Sequence, residues 1–173
     1  GTFIVVGDGE VTVNEAGNVS AELGQDGKLV FRSYPEERSS EDEITISVAG
    51  HWCEYHVSFT WMEEFESLHL AAAFDLKVTE PRHTEVVRLL ALVNERLWMG
   101  HFDLWSKEGV VIFRHTQLLA PDAMPTASQI EQLLAHAIET CERHYQAFQF
   151  VVWAGKTSGE ALDSALFETV GEA

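Results

Sequence analysis

The chain has 173 residues, which suits one domain with a full hydrophobic core and a small additional segment. Its hydrophobic content of 46% and charged content of 23% are typical of globular proteins, and no apolar run approaches the roughly 20 residues that span a bilayer. The net charge of −17 argues against nucleic acid and anionic membrane as partners, because both carry phosphate, and favours a basic or amphipathic protein segment.

Residues 1–39 form a distinct N-terminal segment. Short apolar runs alternate here with Gly-containing and Asp-Gly turns, which accept the positive φ of β-hairpins. The runs are TFIVV, EVTV, VSAEL and KLVF. We therefore predict a β-hairpin-rich segment that leads into the acidic linker SYPEERSSEDE. An α+β domain is expected over residues 40–173.

Strict alternation of apolar and polar residues begins at Ile44 and continues through three successive runs. Such a period of two predicts an antiparallel three-stranded meander with one face on the core and the other in water. The residues assigned to the core face are Ile44, Ile46, Val48, Cys53, Tyr55, Val57, Phe59, Trp61, Leu68, Leu70, Ala72, Phe74, Leu76 and Val78.

Pro81 marks a predicted helix start, because its missing N–H is not needed in the first turn. An apolar stripe at helical spacing follows, and Gly100 is expected to end the helix. The stripe consists of Val86, Leu89, Leu90, Val93 and Leu97. The runs HFDLW and VVIFRH then flank SKEG and predict a hairpin with Gly109 in the left-handed conformation.

Two capping boxes predict the remaining helices. Thr126 and Gln129 begin a long helix that runs into AFQFVVWAG, a stretch so apolar that it indicates burial in the core or in a dimer interface. Thr157 and Glu160 begin a short amphipathic helix. The whole pattern predicts an α+β fold in which an antiparallel sheet, a three-stranded meander plus a hairpin, packs on helices.

Cys53 and Cys141 are the two cysteines of the chain. Each falls on the apolar face of its predicted element, which indicates reduced thiols in a cytoplasmic protein rather than a disulfide framework. The first residues, GTFIVVGDGE, have a short apolar core and no basic start, so they do not predict a signal peptide.

His101, Asp103 and His115 are the candidate residues for a metal-dependent site. A His-x-Asp pair on one strand projects to one face, and a later His could complete a two-His-one-carboxylate iron site. A three-residue loop at 107–109 would place His101 opposite His115. A two-residue loop at 108–109 would instead place Asp103 opposite Arg114, an ordinary cross-strand ion pair. The sequence leaves both registers open.

Polar residues project from the water-facing side of the predicted meander. They are His56, Ser58, Thr60, His69 and Asp75. A Ser–His–Asp arrangement can be drawn among them, but the chain has no Gly-x-Ser-x-Gly turn, so we predict no catalytic residues. We assign His56, Ser58, Thr60, His69 and Trp105 to a partner-binding surface instead.

Five tryptophans allow two interpretations. Packing in the core or in a dimer interface is the simpler one. The other is an apolar ligand pocket of a sensor, lined by Trp52, Trp61, Trp98, Trp105 and Trp153. No cofactor is predicted.

The chain resembles the YbjN family of bacterial sensory transduction regulators over about residues 40–173. The resemblance is carried by EDEITISVAGHWCEYHVSFTWMEEFESLHLAAAFDLKV, LLALVNERLWMGHFDLWSKEGVVIFRH and ERHYQAFQFVVWAGK, with LWMGHFDLW and FVVWAGK as the most specific parts. It implies a fold like the type III secretion chaperones, usually homodimeric, and no established catalytic residues. Chaperone-like members begin with an amphipathic helix, whereas residues 1–39 have a strand pattern.

These observations predict a non-enzymatic, cytoplasmic protein-interaction or chaperone-like regulatory domain. We expect a homodimer that binds an unidentified protein or peptide segment by strand addition at the outer face or an open edge of its sheet. The alternative is a metal-dependent or small-molecule-binding enzyme or sensor centred on His101, Asp103 and His115.

Overall fold

The computed structural model describes the backbone of residues 5–7, 10–12, 18–23, 29–34 and 43–170, and the side chains of residues 43–165. This part of the chain contains nine strands and three α-helices. The strands are β1 (Val5–Gly7), β2 (Glu10–Thr12), β3 (Asn18–Leu23), β4 (Leu29–Tyr34), β5 (Glu43–Ala49), β6 (Glu54–Met62), β7 (Ser67–Lys77), β8 (His101–Trp105) and β9 (Val110–Leu118). The helices are α1 (His83–Asn94), α2 (Ala127–Val152) and α3 (Ser158–Val170), and short 3-10 helices occupy Glu63–Phe65 and Glu80–Arg82.

Seven of the described strands form one sheet in the order β4-β3-β5-β6-β7-β9-β8, and β1 and β2 pair separately. Neighbouring strands are antiparallel, except that β3 runs parallel to β5. The predicted meander is β5–β6–β7 and the predicted hairpin is β8–β9. The expected α+β fold, a mainly antiparallel sheet with helices, is confirmed.

The N-terminal segment contributes strands where its apolar runs predict them, at β1 to β4. Two of these, β3 and β4, extend the large sheet beyond β5. The turns between the runs and the linker after Tyr34 lie outside the described residues. The boundary of an α+β domain near residue 40 therefore stays a prediction.

The core lies between the sheet and the three helices. Val86 and Leu89 of α1, Ile138 and Phe148 of α2, and Ala161 of α3 all belong to one buried cluster with the strand residues. At its centre, the ring centroids of Phe102, Tyr145 and Phe148 lie 5.7, 5.3 and 5.6 Å from that of Phe74. Each such buried side chain removes a large apolar area from water, which stabilises the fold. The predicted core face of the meander is confirmed, although Ile44, Cys53 and Trp61 are only partly buried.

The β8–β9 hairpin has a register that neither sequence-based alternative contains. Trp105 pairs with Val110, so the loop spans residues 106–109, and His101 lies opposite Arg114. Both expected loops are therefore wrong by one or two residues. Gly109 has the predicted left-handed conformation, with a φ of 65°, and its N–H donates to the Trp105 carbonyl at 2.7 Å.

Helix α1 ends at Asn94, earlier than the predicted stop at Gly100. The Asn94 side chain bonds to the backbone of Phe102, donating from Nδ2 to its O at 2.9 Å and accepting from its N–H at 2.8 Å. These bonds turn the chain toward β8. Leu97 is consequently only partly buried outside the helix, and Trp98 is 99% exposed.

Both predicted capping boxes are present. Thr126 Oγ1 accepts from the Gln129 N–H at 3.2 Å, and Gln129 Oε1 accepts from the Thr126 N–H at 2.8 Å. At the start of α3, Glu160 Oε2 accepts from the Thr157 N–H at 3.0 Å. None of the described helices has the length and apolar character that crossing a membrane requires.

Candidate functional site

The outer face of the sheet is the side of β5 to β9 that points away from the helices. Alternation places the helix-facing residues in the buried cluster, so the intervening residues line the outer face. These are Thr45 and Ser47 of β5, His56, Ser58 and Thr60 of β6, His69, Ala71 and Ala73 of β7, Ile112, Arg114 and Thr116 of β9, and His101, Asp103 and Trp105 of β8. All three described helices pack on the opposite face.

Cross-strand pairing arranges the outer face in rows. Thr60 pairs with His69, which pairs with Thr116. In the next row Ser58 and Arg114 pair with opposite sides of Ala71. The five residues assigned to partner binding, His56, Ser58, Thr60, His69 and Trp105, therefore share one face, although they come from three strands.

Hydrogen bonds and ion pairs tie the polar side chains of the outer face together. His69 Nδ1 lies 2.8 Å from Thr116 Oγ1, and Arg114 Nη1 lies 3.4 Å from Asp103 Oδ2. Partial burial, and then the positive charge of Arg114, lower the pKa of His69 below its ordinary range. His69 is therefore a neutral, hydrogen-bonded side chain at neutral pH.

The three candidate metal ligands do not converge. His101 and Asp103 line the outer face, whereas His115 pairs with Leu70 and lies on the helix side of the sheet. The ring of His115 faces His136 of α2, with centroids 6.4 Å apart. Among the residues whose side chains are described, no group of three or more His, Cys, Asp or Glu is arranged to hold a metal ion.

The histidines that could activate Ser58 are engaged elsewhere. His56 Nδ1 lies 3.4 Å from Ser47 Oγ, and His69 contacts Thr116. A nucleophile needs its base within hydrogen-bond reach and a third group that orients that base. The outer face presents separate hydroxyl–imidazole pairs instead of such a relay.

Comparison with known proteins places this chain in a family. The family model of YbjN, described as "Putative bacterial sensory transduction regulator", matches residues 19–150. The chain belongs to the YbjN family. The match begins within β3, earlier than the resemblance near residue 40, and ends within α2.

No curated protein matches the chain. Among solved structures, the chain is similar to one from the "Crystal Structure of the ExsC-ExsE Complex", with 23% sequence identity and a TM-score of 0.43. That alignment covers 64% of this YbjN-family chain and 81% of the other chain.

The tryptophans of this YbjN-family chain are dispersed. Trp61 packs partly against the core, whereas Trp52, Trp98, Trp105 and Trp153 are 38%, 99%, 47% and 64% exposed. They lie in the β5–β6 turn, the α1–β8 loop, the end of β8 and the end of α2. Packing in the core is therefore wrong for these four, whereas packing in a dimer interface stays a prediction. Their scattered positions do not outline one shared pocket.

The edge of β8 is a feature that the sequence pattern did not predict. Phe102 uses both its backbone groups on the Asn94 side chain, so those groups point away from β9. Leu104, two residues on, points the same way, and its N–H donates to Asp103 Oδ1 at 2.8 Å. Side chains thus occupy donors that an added strand would need. An Asn shortly before a break in the apolar helical stripe, here Asn94, is the signal that could have indicated this.

Proposed function

We propose that this chain is a non-enzymatic regulatory domain that binds a protein partner on the outer face of its sheet. One observation carries the proposal. The three described helices all cover the other face, and the outer face combines hydrogen-bonding side chains with the half-exposed ring of Trp105. Polar groups for specificity around an aromatic anchor are typical of protein interfaces. The YbjN family description, a sensory transduction regulator, supports a regulatory role.

The partner contacts the face rather than the β8 edge in this proposal. Strand addition at β8 would break the bonds that Asn94 and Asp103 make to Phe102 and Leu104. Breaking each of these partly buried hydrogen bonds costs about 1 kcal/mol, whereas docking on the face leaves them intact. His56, Ser58, Thr60, His69 and Trp105 are the contact residues that we propose.

We also propose a homodimer in a reducing compartment such as the cytoplasm. Trp153 is 64% exposed although it ends a helix whose preceding turns are buried, and a second copy would cover its ring. Cys53 and Cys141 are unpaired, and burial raises the pKa of Cys53 to about 11, which keeps it a thiol. Sedimentation of Trp153→Ser tests the dimer, and an unchanged dimer would contradict this interface.

Site-specific photo-crosslinking in the native cells tests the partner site. We expect a photoreactive residue at Ser58, Thr60 or Trp105 to give one common adduct with a second protein. The matched controls are Gln132 and Glu139, exposed positions on α2, which should give no such adduct. Trp105→Ala should weaken crosslinking from Thr60. Equal adducts from the α2 positions, or adducts from α2 alone, would exclude the outer face as the binding site.

A further inference from the structure

Exposed apolar side chains concentrate at one end of the sheet. Of the nine large hydrophobic residues that the described part of the chain exposes, five lie in segments that meet there. This group, the apolar end, consists of Phe65, Trp98, Met99, Leu118 and Met124, with exposed fractions of 56%, 99%, 53%, 75% and 68%.

Strand register brings these segments together. Ser67 pairs with both Met62 and Leu118, and the Leu119 N–H donates to the Glu66 carbonyl at 3.0 Å. The β6–β7 turn that carries Phe65 therefore adjoins the end of β9 and the loop to Met124. On the other side of β9, the pairing of β8 begins with His101 opposite Arg114, so the loop that precedes His101 enters the sheet at this same end.

The loop before β8 is held in this position. His136 Nε2 lies 3.5 Å from the Met99 carbonyl. Gly100 has a φ of 71°, and a Cβ there would lie 2.3 Å from the Phe113 ring. The loop therefore packs on the Phe113 ring of β9 and beside α2, and the side chains of Trp98 and Met99 are exposed.

Acidic residues lie in the same segments as the apolar end. Glu63, Glu64 and Glu66 belong to the β6–β7 turn, Glu95 follows α1, and Asp122 lies in the loop after β9. Within these three segments, 62–67, 94–100 and 117–126, Arg96 is the only Lys or Arg. We call these five acids the acidic rim; with five acids against one base, the segments that carry the apolar end are anionic.

We propose that the apolar end docks a basic amphipathic helix of a protein partner. The apolar face of that helix would cover Phe65, Met99 and Leu118, and its Lys and Arg side chains would contact the acidic rim. Flexible methionines adapt to such a face, and tryptophan is a frequent interface anchor. This inference rests on the proposed function, since it assigns a partner chemistry to the end of the sheet next to the proposed outer-face site.

A second copy of the chain does not fit the apolar end as well. It would bring the same acidic rim against the first, in a protein whose net charge is already −17. Like charges placed opposite each other at an interface cost binding energy, whereas a cationic helix gains from the same field. Charge therefore selects the basic partner.

Calorimetric titration of the full chain with a model peptide tests this inference. The probe is an amphipathic peptide of leucine and lysine, long enough for about four helical turns. One control peptide has the same composition in scrambled order, and another replaces lysine by glutamate. We expect binding of the amphipathic leucine–lysine peptide to exceed that of both controls by about tenfold or more.

Variants locate the binding site. We expect Leu118→Ser or Met99→Ser to lower the affinity for the amphipathic peptide by about tenfold. The double variant Glu63→Gln/Glu64→Gln should lower this affinity roughly threefold or more at low salt. The matched controls are Val87→Ser, an exposed apolar residue on α1, and Glu80→Gln/Glu108→Gln, two acids outside the three segments. These should change the affinity by less than about twofold.

The results separate this inference from the proposed function. Equal binding of the scrambled peptide, no binding at all, or equal losses in the control variants would overturn docking of a basic helix at the apolar end. If the cellular crosslinks from Ser58 and Thr60 survive in Leu118→Ser, the outer-face proposal stands and this inference fails. If the crosslinks disappear in Trp105→Ala but not in Leu118→Ser, the partner binds the middle of the face instead.

Discussion

Asn94 connects the end of a helix to the edge of a sheet through one amide side chain. It terminates α1 and satisfies both backbone groups of Phe102, eight residues further on. An amide both donates and accepts, whereas the ionised carboxylate of an aspartate at this position could only accept, so asparagine can make both bonds and aspartate only the one from the Phe102 N–H. Position 94 therefore controls the route of the chain into the α1–β8 loop.

Replacing Asn94 should destabilise the protein. We expect Asn94→Ala to lower the free energy of unfolding by about 1–3 kcal/mol, because two hydrogen bonds to a partly buried edge are lost. Asn94→Asp keeps the acceptor for the Phe102 N–H and should cost less. Urea unfolding measures both, and equal stability of wild type and Asn94→Ala would contradict a role in the fold. Size-exclusion chromatography reports any self-association through the uncapped β8 edge.

His144 should make stability depend on pH. Burial lowers its pKa despite the bond from Nδ1 to the Thr140 carbonyl at 2.9 Å, with smaller contributions from Arg143 and Arg96. In the unfolded chain the pKa of a histidine is about 6.5. Because the folded protein favours the neutral imidazole, His144 contributes fully to the free energy of unfolding above this pH. The contribution is lost as the pH falls through the lowered pKa of the folded state. His69 and His115, whose pKa values are also lowered, act in the same direction.

We therefore expect the free energy of unfolding to fall between about pH 7.5 and pH 5, and to fall less in His144→Asn. Asparagine can still donate to the Thr140 carbonyl but does not titrate. Urea titrations at each pH measure the difference. An identical pH slope in the two proteins would show that His144 does not titrate on unfolding.

At the scale of elements, the β8–β9 hairpin depends on the conformation of its last loop residue. Gly109 has a φ of 65° and its carbonyl accepts from the Val78 N–H at 2.8 Å. A Cβ at this position would lie 2.5 Å from the Val78 carbonyl oxygen. The turn therefore packs against the end of β7. Any residue other than glycine would be strained at position 109.

Two glycine substitutions should act in opposite directions. We expect Gly109→Ala to lower the free energy of unfolding by about 1–3 kcal/mol, because of backbone strain and the contact with Val78. Gly159→Ala is the matched control, because nothing lies within 4 Å of its added Cβ, and alanine in the first turn of α3 should stabilise by about 0.5–1 kcal/mol. Thermal unfolding followed by circular dichroism distinguishes them, and a stable Gly109→Ala would contradict the described turn.

At the scale of the whole molecule, the two faces of the sheet have different roles. Phe102 contacts Phe74, Phe113, His144 and Phe148 in the core, whereas Trp105, three residues later on the same strand, is 47% exposed on the outer face. One face holds the fold together, and the other is available to a partner in the proposed function.

Truncation on the two faces should therefore differ strongly. We expect Phe102→Ala to cost about 3–5 kcal/mol of stability and Trp105→Ala less than about 1 kcal/mol. Chemical denaturation gives both values. A large loss in Trp105→Ala would mean that its ring packs within the fold, and Trp105 would then no longer be suitable as a partner contact.

Local patterns predicted much of the architecture correctly. Period-two alternation assigned β5, β6 and β7 and their core faces, because a strand side chain can only point to one side or the other. The capping boxes at Thr126 and Thr157 were predictable, since their bonds join residues three apart. The conformation of Gly109 followed from backbone sterics alone. These features depend on residues that are close together in the chain, so the amino-acid sequence alone is enough to predict them.

The candidate site required tertiary information. Alternation could place His56, Ser58, Thr60 and His69 on one face of the meander, but a loop longer than expected decided that His101 and Asp103 share that face with them while His115 faces α2. The end of α1 depended on a bond from Asn94 to a strand beyond the loop. The position of the β6–β7 turn beside the end of β9 depended on strand pairing between residues far apart in the chain. A one-residue change of register reverses every side chain, so these features are decided only when the segments pack.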